Sequence, residues 1–210
     1  MKNHYTTLFF TIIFIFYSNM IRSQTSMDSS ITYIHSEKAS FTSKMMQSMF
    51  SLFGVKKGGK LIKMANQSAS TEVATPVPKS LLKKYDVKES IVNNRKFWTI
   101  KPKNNASDKV ILYLHGGAYV GTIKKYHWNF AEELLLKTNA TIVLPDYPLA
   151  PGSSCENAIE FVGQVYQELL KKHSSGNIVL IGDSSGGGLA LGFAQTLATE
   201  KNPQPNQIIL

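Results

Sequence analysis

From about residue 85 onward the chain alternates short apolar runs with longer amphipathic stretches. Val110–Leu114 (VILYL), Thr141–Leu144 (TIVL) and Ile178–Ile181 (IVLI) are uninterrupted apolar runs. Runs of this kind predict strands buried on both faces, as in a parallel sheet. Tyr126–Lys137 and Glu156–Lys172 place apolar residues at helical spacing, and in the second Ile159, Val162, Val165, Tyr166, Leu169 and Leu170 fall on one side. Gly186–Thr199 predicts a third helix, and Gln207–Leu210 begins a further strand. Upstream, Val87–Val92 and Lys96–Ile100 predict two strands joined at Asn93-Asn94, residues that tolerate positive φ in a tight turn. Parallel neighbours require crossover helices, so the pattern implies an open α/β sheet, mostly parallel, with helices on both faces. Ligands bind such sheets beyond the carboxyl ends of the strands. Chemistry is therefore expected just after Leu114, Leu144 and Ile181.

The residues before 85 follow other rules. Lys2 and His4 precede an apolar run, Leu8–Tyr17, and small polar residues follow at Ser18, Ser23 and Gln24. A basic start, a short apolar core and a small-residue exit predict a signal peptide over residues 1–23. The run is short for a membrane span, which needs about 20 apolar residues, although an uncleaved anchor is the competing reading. The protein is thus expected to be secreted or periplasmic, or else held at a membrane by this segment. Residues 24–80 predict a cap-like helical segment and linker. Met45, Met46, Met49, Phe50, Leu52 and Phe53 cluster at helical spacing, lysines follow, and Val73–Pro78 reads as the linker. Contact of the N-terminal segment with a membrane surface is open. Residues 85–210 form the predicted core.

Composition narrows the function classes. With 43% hydrophobic and 18% charged residues, the chain can bury a core and is not globally disordered. Its formal charge is +9, yet Arg22 and Arg95 are the only arginines and no nucleic-acid motif occurs, so no nucleic-acid partner is expected. Cys155 is the only cysteine, which excludes an internal disulfide and argues against a structural metal site. It reads as a small, partly buried thiol. No metal is expected.

The chemistry concentrates after the third apolar run. Gly182-Asp183-Ser184-Ser185-Gly186 matches G-x-S-x-G with Ser184 at its centre. A serine on a sharp strand-to-helix turn sits in a strained backbone conformation that lifts its hydroxyl above the sheet. The positions two before and two after it crowd each other, and Gly182 and Gly186 occupy them. Ser184 is the candidate catalytic nucleophile. The N–H of Ser185, at the helix start, is a candidate oxyanion donor. A phosphate loop would need Gly-Lys-Ser/Thr, which is absent. Trypsin-like proteases carry a similar GDSGG, but in an all-β setting. Asp183 is expected to point away from Ser184 and bond to nearby backbone.

After Leu114 comes His115-Gly116-Gly117-Ala118-Tyr119. Glycines allow close backbone approach, so Gly116 and Gly117 are candidate oxyanion-hole donors opposite Ser185, with Ala118 open as a third. His115, at the strand end, is expected to orient this loop rather than to act as the base. After Leu144, Pro145-Asp146-Tyr147-Pro148-Leu149-Ala150-Pro151 forms an extended turn, in which Asp146 reads as structural.

Together HGGAYVGT at 115–122, DYPLAP at 146–151 and GDSSGGGLA at 182–190 resemble the hormone-sensitive-lipase-like family of α/β hydrolases. The resemblance covers about residues 85–210. It implies the α/β-hydrolase fold and hydrolysis of small carboxylic esters through an acyl-enzyme intermediate, without metal or cofactor. A small-molecule ester is the implied partner. Two departures stand out: Ala118 replaces a third glycine, and Gly152-Ser153-Ser154-Cys155 replaces an acidic, proline-aromatic continuation. The family places its triad acid and base after the serine. Here His4, His35, His115, His127 and His173 all precede Ser184, and His127 and His173 read as surface residues of helices. The expectation is an N-terminal fragment of a longer esterase with a C-terminally incomplete sheet, inactive alone. The alternative is a non-catalytic ligand-binding protein or inactive remnant on the same fold. An amidase or peptidase using the same elbow also stays open.

Overall fold

The computed structural model describes residues 73–210. The readings made for the signal peptide and the cap-like segment up to residue 72 lie outside the described residues. In chain order the elements are α1 (Lys79–Lys84), β1 (Asp86–Val92), β2 (Arg95–Lys101), β3 (Val110–Leu114), α2 (Lys125–Thr138), β4 (Thr141–Pro145), α3 (Cys155–Leu170), β5 (Ile178–Gly182), α4 (Ser185–Thr199) and β6 (Gln207–Ile209). The strands and the three long helices lie within two residues of the boundaries read from the apolar pattern.

The sheet runs in the order β1-β2-β4-β3-β5-β6. β1 and β2 form an antiparallel hairpin with Val92 opposite Arg95, and β2 runs antiparallel to β4 with Phe97 opposite Pro145. The remaining pairs are parallel, with Val110 opposite Thr141, Leu114 opposite Gly182 and Ile181 opposite Ile209. This register brings the carboxyl ends of β3, β4 and β5 to one edge. The antiparallel β2 places its first residue, Arg95, at that edge too.

Side-chain alternation along the strands builds two apolar layers. Val110, Leu112 and Leu114 face α3 and α4, where they pack with Phe161, Val162, Val165, Leu189 and Phe193. Ile111 and Tyr113 face α1 and α2, with Leu81, Trp128, Ala131 and Leu135. Val110, Leu112, Leu114, Ile142, Val143 and Leu144 are all fully buried, and each such side chain contributes about 1.5–3 kcal/mol by leaving water. Trp98 and Trp128 meet edge to face with centroids 5.2 Å apart.

Local chemistry sets the ends of these elements. Asn93 (φ 45°) and Asn94 (φ 59°) turn the hairpin, and Asn139 (φ 54°) ends α2. The Ser154 hydroxyl accepts from the Asn157 N–H at 3.3 Å and starts α3.

Two expectations need correction, those for Cys155 and His127. The segment 73–78, read as a linker, is hydrogen-bonded to the core: Thr75 N–H donates to the Ile123 carbonyl at 2.8 Å, and Trp128 Nε1–H donates to the Thr75 carbonyl at 2.8 Å. It leads into α1, a single short helix that no long apolar period announces. Cys155 is exposed, because it opens α3 on the solvent side. His127 is buried, 1% accessible, because the first turn of α2 tucks against the end of β3. Among the described residues no helix is long and apolar enough to cross a membrane.

Candidate active site

The turn from β5 into α4 carries the strain that its sequence implies. Ser184 sits at φ 52°, ψ −119°, a region that L-residues rarely occupy and that costs on the order of 1–3 kcal/mol. Its side chain is exposed, and its hydroxyl makes no hydrogen bond among the described residues. A Cβ on Gly182 would lie 2.2 Å from the Gly186 carbonyl oxygen, and one on Gly186 would lie 2.1 Å from that of Leu114. The two small positions thus let β5, the turn and the end of β3 close on one another. Gly186 N–H and Gly187 N–H bond back to the carbonyls of Asp183 and Ser184 at 2.8 and 3.0 Å, which starts α4. Ser185 is buried at the first helical position, and its own N–H has no acceptor among the described residues. An unpaired N–H at a helix start favours negative charge.

The loop after β3 is tied to this turn through Asp183. One carboxylate oxygen, Oδ1, accepts from the Gly116 N–H at 2.9 Å and from the Tyr113 hydroxyl at 2.7 Å. The bond to backbone agrees with expectation, while the tyrosine partner was not foreseen. One proposed oxyanion donor is corrected by this contact: the Gly116 N–H is already committed to Asp183. A Cβ on Gly116 would meet Asp183 Oδ2 at 2.4 Å, so glycine is required there for the carboxylate to reach. Beyond it, Gly117 (φ 139°), Ala118 (φ 55°) and Tyr119 (φ 62°) run consecutively at positive φ. The Gly117 carbonyl closes the turn by accepting from Val120 N–H at 3.1 Å and Gly121 N–H at 2.8 Å. The N–H groups of Gly117 and Ala118 have no acceptor among the described residues.

His115 is fully buried at the root of this loop. Its ring stacks on Tyr147, with centroids 4.4 Å apart and planes at 19°. Nδ1 lies 2.9 Å from the Gly116 carbonyl, which can only accept, so Nδ1 carries the proton. Burial lowers the pKa to about 4, and the ring is neutral at physiological pH. The Tyr147 hydroxyl donates to the His115 carbonyl. His115 therefore fixes backbone through both its ring and its main chain.

The third loop braces the second. Ala150 N–H donates to the Tyr119 carbonyl at 2.8 Å. Arg95 holds the loop's own backbone, with Nε donating to the Asp146 carbonyl at 2.8 Å and Nη2 to that of Tyr147 at 3.3 Å. The Asp146 carboxylate is 3.9 Å from Arg95 Nη2. Burial raises its pKa, against the opposing pull of Arg95 and Lys96. An open cleft of about 730 Å³ lies beside this loop, bounded by Val120, Leu149, Ala150, Arg95 and Trp98. His173 lies elsewhere, close enough to Lys101 and Asp108 to feel their charges, at the opposite edge of the sheet. Tyr113, Tyr147 and Arg95 are the site-supporting residues that sequence reasoning missed. An aromatic in an otherwise aliphatic strand, as at Tyr113, was the one available signal.

A strained serine after a parallel strand, facing a glycine loop from the neighbouring strand, can be set beside known proteins. The family described as alpha/beta hydrolase fold matches residues 111–210. Those residues form an α/β-hydrolase core. A triacylglycerol lipase of Mycobacterium tuberculosis is 30% identical over 112 residues, 53% of this chain and 25% of that protein. An esterase of Acinetobacter venetianus is 32% identical over 112 residues, 53% of this chain and 37% of that protein. Among solved structures, an esterase from the bacterial hormone-sensitive lipase family aligns with TM-score 0.53 and 25% identity, covering 70% of this chain and 54% of that one. EstE5, in a crystal soaked with p-nitrophenyl butyrate, aligns with TM-score 0.56 and 25% identity, covering 70% of this chain and 55% of that one. The chain thus spans a quarter to about a third of these curated relatives, and about half of these solved chains. The α/β-hydrolase core resembles lipases and esterases, as the three loops together imply.

Proposed function

We propose that Ser184 is the nucleophile of an ester-hydrolysing reaction on small carboxylic esters. The observation that carries the reading is the Ser184 backbone at φ 52°, ψ −119°, with an exposed hydroxyl at the start of α4. In the proposed step the Ser184 oxygen bonds to the ester carbonyl carbon and gives its proton to a base. The carbonyl oxygen becomes an oxyanion, held by N–H groups of Gly117, Ala118 and Ser185. Collapse expels the alcohol, which takes the proton, and leaves an acyl-serine that water then cleaves. Donors preorganised in this way are each worth on the order of 10²–10³ in rate. The p-nitrophenyl butyrate soaked into the related EstE5 supports a small ester as the first substrate to try.

The base is the open part of the reading. His115 is buried and engaged with Gly116, His127 is buried behind it, and His173 lies at the far edge. A serine hydroxyl without a base is a poor nucleophile. With no base in place among the described histidines, the 210 residues assayed alone are expected to hydrolyse p-nitrophenyl butyrate near the background rate. Imidazole added as an external base should then release about one equivalent of p-nitrophenol per chain, and Ser184→Ala should release none beyond background. Equal release from Ser184→Ala would remove the nucleophile assignment. Rapid turnover without imidazole would show that a base is already in place.

A further inference from the structure

Two buried ring nitrogens are left over once the site is assembled. His115 Nε2 and His127 Nε2 are both inaccessible to solvent and have no hydrogen-bond partner among the described residues. Buried polar nitrogens of this kind are rarely left unpaired. The two rings are neighbours, with centroids 5.0 Å apart and planes at 44°.

Their tautomers follow from their other nitrogens. His115 Nδ1 faces a carbonyl oxygen at 2.9 Å and must carry the proton, so His115 Nε2 presents a lone pair. His127 Nδ1 accepts from the Lys124 backbone N–H at 2.9 Å, so the proton of neutral His127 is on Nε2. One leftover nitrogen is an acceptor and the other a donor, on neighbouring buried rings of the loop after β3 and the first turn of α2.

We propose that His127 is a positioning residue for the oxyanion loop: its Nε2–H and the His115 Nε2 lone pair are the two ends of one buried hydrogen-bonded link. A single water molecule spans it, since the site offers one donor and one acceptor and the rings make no direct bond. The link ties the loop to helix α2, which is itself anchored in the core by Trp128, Ala131 and Leu135. With Tyr147 stacked on the His115 ring and Asp183 holding Gly116, the loop is braced from three elements. The catalytic meaning of the link rests on the proposed oxyanion role of residues 117 and 118. Its existence does not, and it can be read with no ester present.

The test separates capping from linking. In asparagine the side-chain oxygen takes the place of imidazole Nδ1, and in glutamine the side-chain nitrogen takes the place of Nε2. His127→Asn keeps an acceptor for the Lys124 N–H and removes the donor toward His115, while His127→Gln keeps the donor. Long-range proton–nitrogen NMR on the 210-residue protein should show His115 as the Nδ1–H tautomer and His127 as the Nε2–H tautomer. In His127→Asn the His115 Nε2 resonance should move, and amide hydrogen exchange at residues 117–119 should quicken roughly tenfold, the loss of about one hydrogen bond. His127→Gln should restore both. An unmoved His115 resonance in His127→Asn would reduce His127 to a helix cap and overturn the proposal. So would wild-type His115 in the Nε2–H tautomer, a measurement that needs no variant to fold.

Discussion

Two sets of residues in this molecule share the left-handed half of backbone space, and they reach it for different reasons. Asn93, Asn94, Asn105 and Asn139 lie at φ 45–59° in turns and at a helix end. Asparagine is one of the few residues that accept this conformation from local bonding alone. The hairpin pair Asn93-Asn94 is exposed, and its conformation is a property of the turn itself. Ala118, Tyr119 and Ser184 lie at φ 52–62° with side chains that offer no such local help. What holds them is tertiary: Asp183 on Gly116, Ala150 on the Tyr119 carbonyl, and the close approach of Gly182 to Gly186. Relaxed positive φ marks a turn, whereas imposed positive φ marks the place where the fold stores strain around a candidate nucleophile.

The comparison breaks most visibly at the glycines that allow the imposed turn. In Gly186→Ala the new Cβ would face the Leu114 carbonyl at 2.1 Å, with only backbone to yield. A loss of about 4 kcal/mol or more is expected in urea unfolding, at the extreme of single substitutions. A loss under about 1 kcal/mol would mean that the turn is not closed as described.

Acid should act next. The folded pKa of His115, about 4, lies below the ordinary value of about 6.5. Between those values the unfolded chain binds a proton that the folded chain refuses, so stability falls as pH drops through this window. The expected loss from His115 is roughly 3 kcal/mol by pH 4. His127, lowered to about 3 by burial, then by the charges of His115 and Lys124, extends the fall further down. Asp146 acts with the opposite sign, because burial raises its pKa. Urea midpoints measured from pH 7 to pH 4 check the net slope, and a flat profile would contradict the buried, neutral histidines.

Asp183→Ala removes the carboxylate oxygen that accepts from the Gly116 N–H and the Tyr113 hydroxyl. The expected loss is about 2–3 kcal/mol, with faster amide exchange at residues 116–119. The smallest effects compare the two kinds of turn directly. Ala118→Gly relieves an imposed conformation and should stabilise by up to about 1 kcal/mol, whereas Asn94→Gly relieves nothing and should stay within a few tenths. Thermal unfolding of the two variants side by side would sharpen or erase the distinction.

Much of this is legible in the sequence. The apolar runs at 110–114, 141–144 and 178–181 became β3, β4 and β5, because a strand buried on both faces has no polar positions to disguise it. Gly182, Ser184 and Gly186 announced the elbow because the crowding is local to five residues. Contacts between distant segments were not legible. Asp183 and Gly116 are 67 positions apart, and nothing in either segment reveals that one carboxylate takes up the N–H of a proposed oxyanion donor. His127 was misread because it follows Lys124 and Lys125, and its burial depends on β3 and His115 packing over the helix start. Cys155 was misread for the converse reason: a small apolar residue at a helix start faces whatever lies outside the first turn, here solvent.

The role given to Ser184 is tested most directly by a fluorophosphonate, with the modified residue mapped by mass spectrometry. The chain also carries Ser153, Ser154, Ser174, Ser175 and Ser185 among its described serines, which serve as internal controls. The account predicts a single adduct on the peptide containing Ser184, accelerated by imidazole and lost in Ser184→Ala. An adduct on another serine, or labelling that persists unchanged in Ser184→Ala, would contradict it.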